Sequence, residues 1–334
     1  MWFFNLRIYN MRAIVLDGFG GFDKLVYKDI PKPEPLPGHV VIQIKAFGVN
    51  HAEMHMRRGE WAENAEVIGL ECVGLVDACP GGEFPIGAKV AAMMGGMGRT
   101  INGSYAEYVV VPTHVVTLID ADLPWAELAA LPESYATAWT CLFRNLDIQK
   151  GQTLLIRGAT SAFGQAAINL AVDAGLNVIA TTRRRERFPA LEALGVTRCE
   201  IEGPELSKRL AESGKVDRIL DLVGNSVIVD SLSMLPRYGR ACIAGWLGGL
   251  DPVKDFNPLA QMNSGVYLTF FASFHFGLPD FPLSDVPLAE IARKVAAGRF
   301  PAKPARIFKF EDIREAHRVM EANEAGGKMV VVVD

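Results

Sequence analysis

The sequence predicts an α/β protein in which a doubly wound parallel sheet accompanies a second, mostly β unit. From residue 151 onwards, buried strand patterns alternate with helical patterns, which is typical of a parallel sheet with helices on both faces. Between residues 11 and 112, short strand patterns instead follow one another with glycine and proline between them, which indicates antiparallel strands. The chain has 334 residues, enough for two separate cores.

The individual elements are assigned from their apolar periodicity. In the β unit, strands are predicted at 12–16, 25–30, 39–48, 69–77, 88–94 and 105–111, with a short helix at 51–58. Helical patterns at 124–131 and 134–145 lead to the parallel sheet, whose strands are predicted at 153–157, 177–181, 196–201, 216–222, 240–244 and 266–271. Helix 283–297, strand 306–310, helix 311–323 and strand 328–333 close the chain.

The stretch 153–175 carries the strongest functional signal. An apolar strand pattern stops at Gly158, a loop of small residues follows, and apolar residues then recur at helical spacing. The N-terminus of such a helix presents unpaired backbone N–H groups that favour an anion. Ala159, Ser161 and Gly164 occupy the glycine positions of the dinucleotide fingerprint G-x-G-x-x-G, so that fingerprint is only partly kept.

This turn is interpreted as the phosphate-binding loop of a Rossmann sheet. Alanine and serine still allow the backbone to approach a pyrophosphate, and glycine at 164 allows the helix to pack closely on the strand. The predicted cofactor contacts here are Ala159, Thr160, Ser161, Phe163 and Gly164. The alternative is a strand–helix turn of the kind found in any α/β protein.

The end of the second strand of this sheet favours NADP(H) over NAD(H). An NAD site usually has Asp or Glu here to bind the ribose 2′-hydroxyl. This chain has Thr181, Thr182, Arg183, Arg184 and Arg185, with Arg187 just beyond. A guanidinium binds a 2′-phosphate bidentately, and threonine hydroxyls add hydrogen bonds, so Thr181, Thr182 and Arg183 are predicted cofactor contacts. A solvated charge run or a nucleic-acid patch is the alternative.

Two more strand ends point to the same edge of the sheet. Residues 221–224 and 243–246 each end a strand with a glycine. In doubly wound sheets the ligand lies over the carboxyl ends of the strands, so Val223, Gly245 and Trp246 are predicted to contact the cofactor. Each glycine could equally serve only as an ordinary turn residue.

The composition excludes several other classes. A net charge of −4 gives no general affinity for nucleic acid or anionic membrane. No apolar run is long enough to span a bilayer. The five cysteines are scattered and show no disulfide spacing, which suits a reducing, cytoplasmic location. Residues 1–10 lack the features of a signal peptide, and we expect them to be an upstream extension of a unit that starts at Met11.

Taken together, these stretches resemble the medium-chain dehydrogenase/reductase superfamily, and within it the zinc-independent quinone oxidoreductase group. The resemblance covers nearly everything after Met11. The stretches that carry it, besides 153–175, are AFGVNHAE (46–53), GLECVGLV (69–76), GAKVAAM (87–93), GSYAEYVVVP (103–112), AALPESYATAW (129–139), DLVG (221–224) and HRVMEANEAGGKMVVVV (317–333). The resemblance implies a GroES-like catalytic domain at 11–125 and 273–334 and a Rossmann NADP(H)-binding domain at 126–272.

The resemblance also implies roles for three further residues, and Tyr135 is a candidate because of its phenol. Asn50 corresponds to a residue beside the nicotinamide, and Thr137 to one that holds its carboxamide. Lys328 is similar to a cofactor-side lysine, although an ordinary surface lysine is the alternative. Tyr135 could donate a proton, or it could be a packed helix residue.

The positions that resemble zinc ligands of related alcohol dehydrogenases are Asn50, Leu70 and Glu133. Leucine cannot bind a metal and asparagine is a poor zinc ligand, so no metal is expected. A different cluster of His51, Glu53, His55 and Glu71 could in principle hold one, but these residues are better interpreted as polar lining or surface positions.

The predicted activity is hydride transfer from NADPH to a quinone or an α,β-unsaturated carbonyl without metal, with Asn50 and Tyr135 as catalytic candidates. The alternatives are a zinc alcohol dehydrogenase of the same fold and a non-catalytic NADPH-binding protein. The apolar run at 266–271 would be a hazard as an open sheet edge, and the corresponding strand pairs across a two-fold axis in the superfamily. A homodimer is therefore expected.

Overall fold

A computed structural model describes residues 9–211 and 215–334. These residues divide into two compact units. One comprises the described residues up to Glu133 together with Phe274–Asp334, and the other comprises Ser134–Ser273. The domain boundary predicted at 125–126 lies earlier in the chain than this division.

The strands of the described residues are as follows: β1 Asn10–Leu16, β2 Leu25–Pro31, β3 His39–Val49, β4 Glu71–Ala78, β5 Lys89–Met93, β6 Tyr108–Pro112, β7 Val116–Leu118, β8 Thr153–Arg157, β9 Asn177–Thr182, β10 Arg198–Ile201, β11 Arg218–Asp221, β12 Arg240–Ile243, β13 Tyr267–Phe270, β14 Arg306–Lys309 and β15 Met329–Val332. Residues 1–8 lie outside the described part. Of the predicted upstream extension, Asn10 already pairs with Pro31 in the β1–β2 ladder.

The α-helices are α1 His51–Arg58, α2 Trp125–Leu128, α3 Pro132–Trp139, α4 Ala162–Asp173, α5 Phe188–Glu192, α6 Leu206–Leu210, α7 Ile228–Met234, α8 Pro258–Gln261, α9 Leu288–Ala296 and α10 Ile313–Glu321. The continuous helix predicted over 283–297 was wrong. A short 3₁₀ turn at Leu283–Asp285 is followed by Val286, which is extended, and by Pro287, which precedes α9. Proline has no N–H to continue a helix and is tolerated only at its start.

The first unit is built on a mostly antiparallel sheet of order β14-β15-β3-β4-β5-β7, with β6 also pairing with β3. The last strand, β15, pairs antiparallel with β3, so that Met329 lies opposite Val49. This pairing brings the C-terminal segment next to the start of α1. The sheet therefore places Lys328 beside Asn50, two residues far apart in sequence.

The second unit is a parallel sheet of order β10-β9-β8-β11-β12-β13. The predicted α/β fold class is thus confirmed. The strand order reverses at β8 and β11, which is the position where doubly wound sheets bind ligands. The core under helices α6 and α7 is formed by apolar side chains including Leu155, Ile219 and Leu232, all fully buried.

Strand β13 forms one end of the six-stranded sheet and is exposed along its length. Tyr267, Leu268 and Phe270 are 48%, 40% and 52% exposed. An apolar edge strand of this kind can pair with another chain. Among the residues described, no helix is both long enough and apolar enough to cross a membrane.

Candidate functional site

The loop after β8 is shaped by Ser161, which caps α4. The Ser161 hydroxyl accepts a hydrogen bond from the Gly164 N–H at 3.0 Å and donates to the Gly158 carbonyl at 3.0 Å. Gly158 has a φ of +80°, a left-handed conformation that glycine adopts without strain. Ser161 was predicted as a cofactor contact, and the structure gives its hydroxyl a capping role within the loop.

Gly164 lets α4 approach the loop closely. A Cβ at this position would lie 2.6 Å from the Ala159 carbonyl oxygen and 2.7 Å from the Ala159 Cα, so any side chain would force the helix away. Alanine at 159 is itself fully buried. The sequence argument that glycine is needed at 164 for close helix–strand packing therefore agrees with the geometry.

The start of α4 leaves two backbone donors available. Within the described residues, the N–H groups of Ala162 and Phe163 have no backbone or side-chain acceptor. Because α4 is twelve residues long, its dipole adds partial positive charge at this end. Thr160 and Phe163 are partly exposed beside these donors. The loop can thus accommodate an anionic group.

The segments that follow β11 and β12 also pack closely against each other. A Cβ on Gly224 would lie 2.6 Å from the Gly245 carbonyl oxygen, and a Cβ on Gly245 would lie 2.8 Å from the Leu222 carbonyl oxygen. Val223 is held by its N–H, which donates to the Asp221 carboxylate at 3.0 Å. The Trp246 ring packs edge-on against Phe270, with centroids 5.7 Å apart.

The arginine cluster at the end of β9 (Arg183, Arg184, Arg185 and Arg187) is largely exposed. Among the described residues, no carboxylate forms an ion pair with any of the four side chains, and the Arg185 guanidinium lies over the Phe188 ring, 5.5 Å from its centroid. Glu186 is also exposed and interrupts the run. These guanidinium groups are consequently free to bind an external anion.

The two threonines before the cluster are buried, and their hydroxyls are already used. Thr181 donates to Glu202 at 2.6 Å and accepts from the Gly158 N–H at 3.1 Å. Thr182 accepts from the Arg184 N–H at 3.3 Å. Both residues were predicted to bind the cofactor, and the structure gives them bonds that fix the loop and the strand end relative to each other.

Sequence reasoning missed a buried ion-pair network beneath this edge. Arg157, the last residue of β8, is fully buried and pairs with Glu202 at 2.5 Å and with Asp230 at 3.0 Å. Burial alone would lower the pKa of Arg157, but Glu202, Asp221 and Asp230 outweigh it and raise that pKa above its usual value. An arginine inside an otherwise apolar strand pattern was the available signal.

Tyr135 and Thr137 lie on α3, and both side chains are buried. The Tyr135 hydroxyl accepts a hydrogen bond from the Asn169 amide at 2.7 Å. Tyr135 is 2% exposed and Thr137 is 3% exposed. Burial raises the pKa of Tyr135 well above its usual range, which makes the phenol a weak acid in this structure. The packed-helix interpretation of Tyr135 is the one that its burial favours.

In the first unit, four polar side chains form a cluster at the start of α1: Asn50, Glu53, Glu71 and Lys328. The Lys328 ammonium donates to the Asn50 Oδ1 at 2.7 Å and to the Glu71 Oε1 at 2.5 Å. The Asn50 amide nitrogen donates to Glu71 at 3.0 Å and to Glu53 at 3.3 Å. Glu53 also accepts from the Asn50 backbone N–H at 2.8 Å, which completes a capping box for α1.

Three members of this polar cluster are removed from water, and Asn50 is half-buried. Glu53 and Glu71 are fully buried, and Lys328 is 7% exposed. Burial raises the pKa of Glu53 to about 8, so its carboxyl group is mostly protonated at neutral pH. Burial alone would lower the pKa of Lys328, but the charges of Glu71 and Glu133 outweigh it and raise that pKa.

Two alternatives drawn from the sequence are resolved by this burial. Lys328 is not an ordinary surface lysine, because it forms a buried ion pair. Glu53 and Glu71 are not surface residues either. His55 lies apart from them and pairs with Glu60. Within the described ranges, no group of histidine, cysteine and acidic side chains is arranged to hold a metal ion.

Comparison with known proteins places this architecture in a family. A family model described as an alcohol dehydrogenase GroES-like domain matches residues 36–121, and one described as a zinc-binding dehydrogenase matches residues 199–331. The quinone oxidoreductase of Lama guanicoe is 26% identical over 97% of this chain and 98% of its own length. The human quinone oxidoreductase is 25% identical with the same coverage.

Solved structures give the same result for the fold. An NAD-dependent alcohol dehydrogenase is 26% identical with a TM-score of 0.84, covering 97% of this chain and 100% of that chain. A mycobacterial protein solved as a complex with NADPH is 24% identical with a TM-score of 0.83, covering 96% of this chain and 99% of that chain.

These matches and the two-unit fold define an oxidoreductase of the dehydrogenase/reductase class. The chain belongs to the medium-chain dehydrogenase/reductase superfamily, in its quinone oxidoreductase-like group, which confirms the resemblance seen in the sequence.

The zinc suggested by the name of one family model does not fit the residues present. Of the three positions that resemble zinc ligands, Leu70 is a buried apolar residue. The Oδ1 of Asn50 is bound by the Lys328 ammonium, a cation that would repel a metal ion at that oxygen. Glu133 alone remains, and one carboxylate does not make a zinc site.

Proposed function

We propose that this protein is an NADPH-dependent oxidoreductase that transfers hydride to a quinone or an α,β-unsaturated carbonyl without a metal. The observation that carries the proposal is the arginine cluster at the end of β9. It has no carboxylate partner among residues 9–211 and 215–334, and it lies where NAD enzymes hold the ribose. Two quinone oxidoreductases among the relatives support the choice of acceptor class.

The second unit offers groups suited to each part of the cofactor. The free N–H groups of Ala162 and Phe163 would bind the pyrophosphate, helped by the dipole of α4. Arg183 and its neighbours would bind the 2′-phosphate through charge-assisted hydrogen bonds. Val223, Gly245 and Trp246 line the adjacent strand ends. When bound, the nicotinamide supplies a hydride from its C4 position.

In this proposal Asn50 acts on the acceptor by donating a hydrogen bond from its amide to the oxygen that gains negative charge. Both amide hydrogens face carboxyl groups in the structure, and the contact with Glu53 is the longer, at 3.3 Å. A protonated Glu53 is a weak acceptor, so this contact is the one that Asn50 can give up. Lys328 holds the Asn50 Oδ1 and thereby fixes which edge of the amide donates.

The absence of zinc chemistry is part of the proposal and rests on the donor set already described. An acceptor that takes hydride without Lewis-acid activation is conjugated, as quinones and enones are. The Lys328 ammonium neutralises the Glu71 carboxylate beside Asn50, which limits the repulsion that this carboxylate would exert on a developing oxyanion.

The test is oxidation of NADPH measured by absorbance against a panel of quinones, enones and simple aldehydes. We expect turnover with quinones or enones, unchanged by a chelator, and a loss of about 100-fold in kcat/KM for Asn50→Ala. Asn177→Ala, which changes an exposed asparagine at the start of β9, serves as the matched control. Turnover confined to aldehydes and abolished by chelation would overturn the proposal in favour of a zinc dehydrogenase.

We also propose that the protein is a homodimer in which strand β13 extends the parallel sheet across a two-fold axis. The support is the exposed apolar edge formed by Tyr267, Leu268 and Phe270. Isologous pairing of one edge strand closes the assembly at two chains.

A further inference from the structure

The buried pair Arg157–Glu202 bears directly on the proposed phosphate site. In the parallel β9–β10 ladder, Ile201 lies opposite Thr182, and the Glu202 N–H donates to the Thr182 carbonyl at 2.9 Å. Glu202 therefore follows β10 at the level where Arg183 follows β9. It is the acidic residue that the sheet places next to the arginine cluster.

The Glu202 carboxylate nevertheless does not pair with Arg183. It turns inward, where it accepts from Arg157 at 2.5 and 3.2 Å, from the Thr181 hydroxyl at 2.6 Å and from the Gly203 N–H at 3.0 Å. Its side chain is only 7% exposed and that of Arg157 is fully buried. Arg183 is left exposed, with no ion pair to any residue that the structure describes.

Burial of such a pair needs a compensating role, because removing two charges from water costs about as much as their attraction returns. A free carboxylate beside the arginine cluster would have two effects. It would compete with a phosphate for Arg183, and it would repel the phosphate directly. A bidentate guanidinium that holds the carboxylate inside the sheet prevents both effects.

We propose that Arg157 is a specificity-determining positioning residue, which sequesters the Glu202 carboxylate so that Arg183 stays available for the 2′-phosphate of NADPH. The proposal rests on the proposed NADPH function and deepens it. It assigns cofactor preference to a residue that does not touch the cofactor. The same bonds join Glu202 to Thr181 and, through the Thr181 hydroxyl, to the Gly158 N–H of the phosphate loop.

The test is direct measurement of NADPH and NADH dissociation constants by calorimetry for the wild type, Arg157→Met, Glu202→Gln and the double variant. We expect Arg157→Met to lower the preference for NADPH by about tenfold or more, because the carboxylate is released. Glu202→Gln alone should keep the preference, and the double variant should regain it. If the role of Arg157 were purely structural, Arg157→Met would weaken the binding of NADPH and NADH equally.

The inference would be overturned if Arg157→Met weakened the binding of NADPH and NADH equally. It would also be overturned if the double variant did not regain the preference for NADPH. If Arg157→Met does not fold, Arg157→Lys keeps the charge but loses the bidentate geometry, and the same order of preferences is expected. A wild type without NADPH preference would instead refute the cofactor proposed above. A wild type that prefers NADPH but fails the quinone and enone panel would refute only the proposed reaction.

Discussion

At the scale of single residues, the Glu53 carboxyl offers a test by pH. Its pKa of about 8 means that the group loses its proton as the pH rises through that value. The carboxylate then holds the Asn50 amide more strongly and adds negative charge beside the oxygen that Asn50 is proposed to stabilise. We expect kcat/KM to fall above pH 8 in the wild type and to stay level in Glu53→Gln. Glu34→Gln, at an exposed position, should retain the wild-type profile.

The same pKa has a consequence for stability. The folded state raises the pKa of Glu53 above its usual value of 4.5, so the folded protein binds the proton more tightly than the unfolded chain does. The stabilisation is complete below the unfolded pKa and is lost as the pH rises towards 8, at up to about 1.4 kcal/mol per pH unit. Urea unfolding at pH 5 and pH 8 should show this loss in the wild type and not in Glu53→Gln. An identical loss in both proteins would contradict the assignment.

At the scale of elements, the approach of α4 to the phosphate loop can be tested by adding one methyl group. Gly164→Ala would bring a Cβ within 2.6 Å of the Ala159 carbonyl oxygen. We expect a loss of about 1–3 kcal/mol in the free energy of unfolding and weaker NADPH binding, because the helix must move. Gly203→Ala is the matched control, since among the described residues no atom outside 202–204 lies within 4 Å of its added Cβ. Equal effects of the two substitutions would refute the packing argument.

The sequence was sufficient for elements whose pattern is local. Strands β8 and β9 and helix α1 begin and end within one residue of the bounds that their apolar periodicity predicts. The sequence was insufficient where partners are distant in the chain. The pairs Lys328–Glu71 and Arg157–Glu202 exist only because strand pairing joins those segments, and no spacing rule encodes that contact. Helices α5 to α8 were expected between the strands, but their bounds could not be predicted because they are short and weakly periodic.

At the scale of the whole molecule, the edge strand β13 tests the predicted assembly. Sedimentation velocity at micromolar concentration should show twice the chain mass of 36.4 kDa for the wild type. Leu268→Lys places a charge on the exposed edge and should shift the protein towards the monomer. Ile307→Lys, on the edge strand β14 of the first unit, should leave the dimer intact. A wild type that sediments as a monomer would contradict the proposal.

The central claim is that the arginine cluster after β9 binds the 2′-phosphate of NADPH. The most direct measurement is the pair of dissociation constants for NADPH and NADH in the wild type and in Arg183→Glu, with Arg144→Glu, an exposed arginine of the same unit, as the control. The account predicts that Arg183→Glu weakens the binding of NADPH by about 1.5–3 kcal/mol and leaves the binding of NADH nearly unchanged. Equal loss for both nucleotides, or no loss for either, would contradict it.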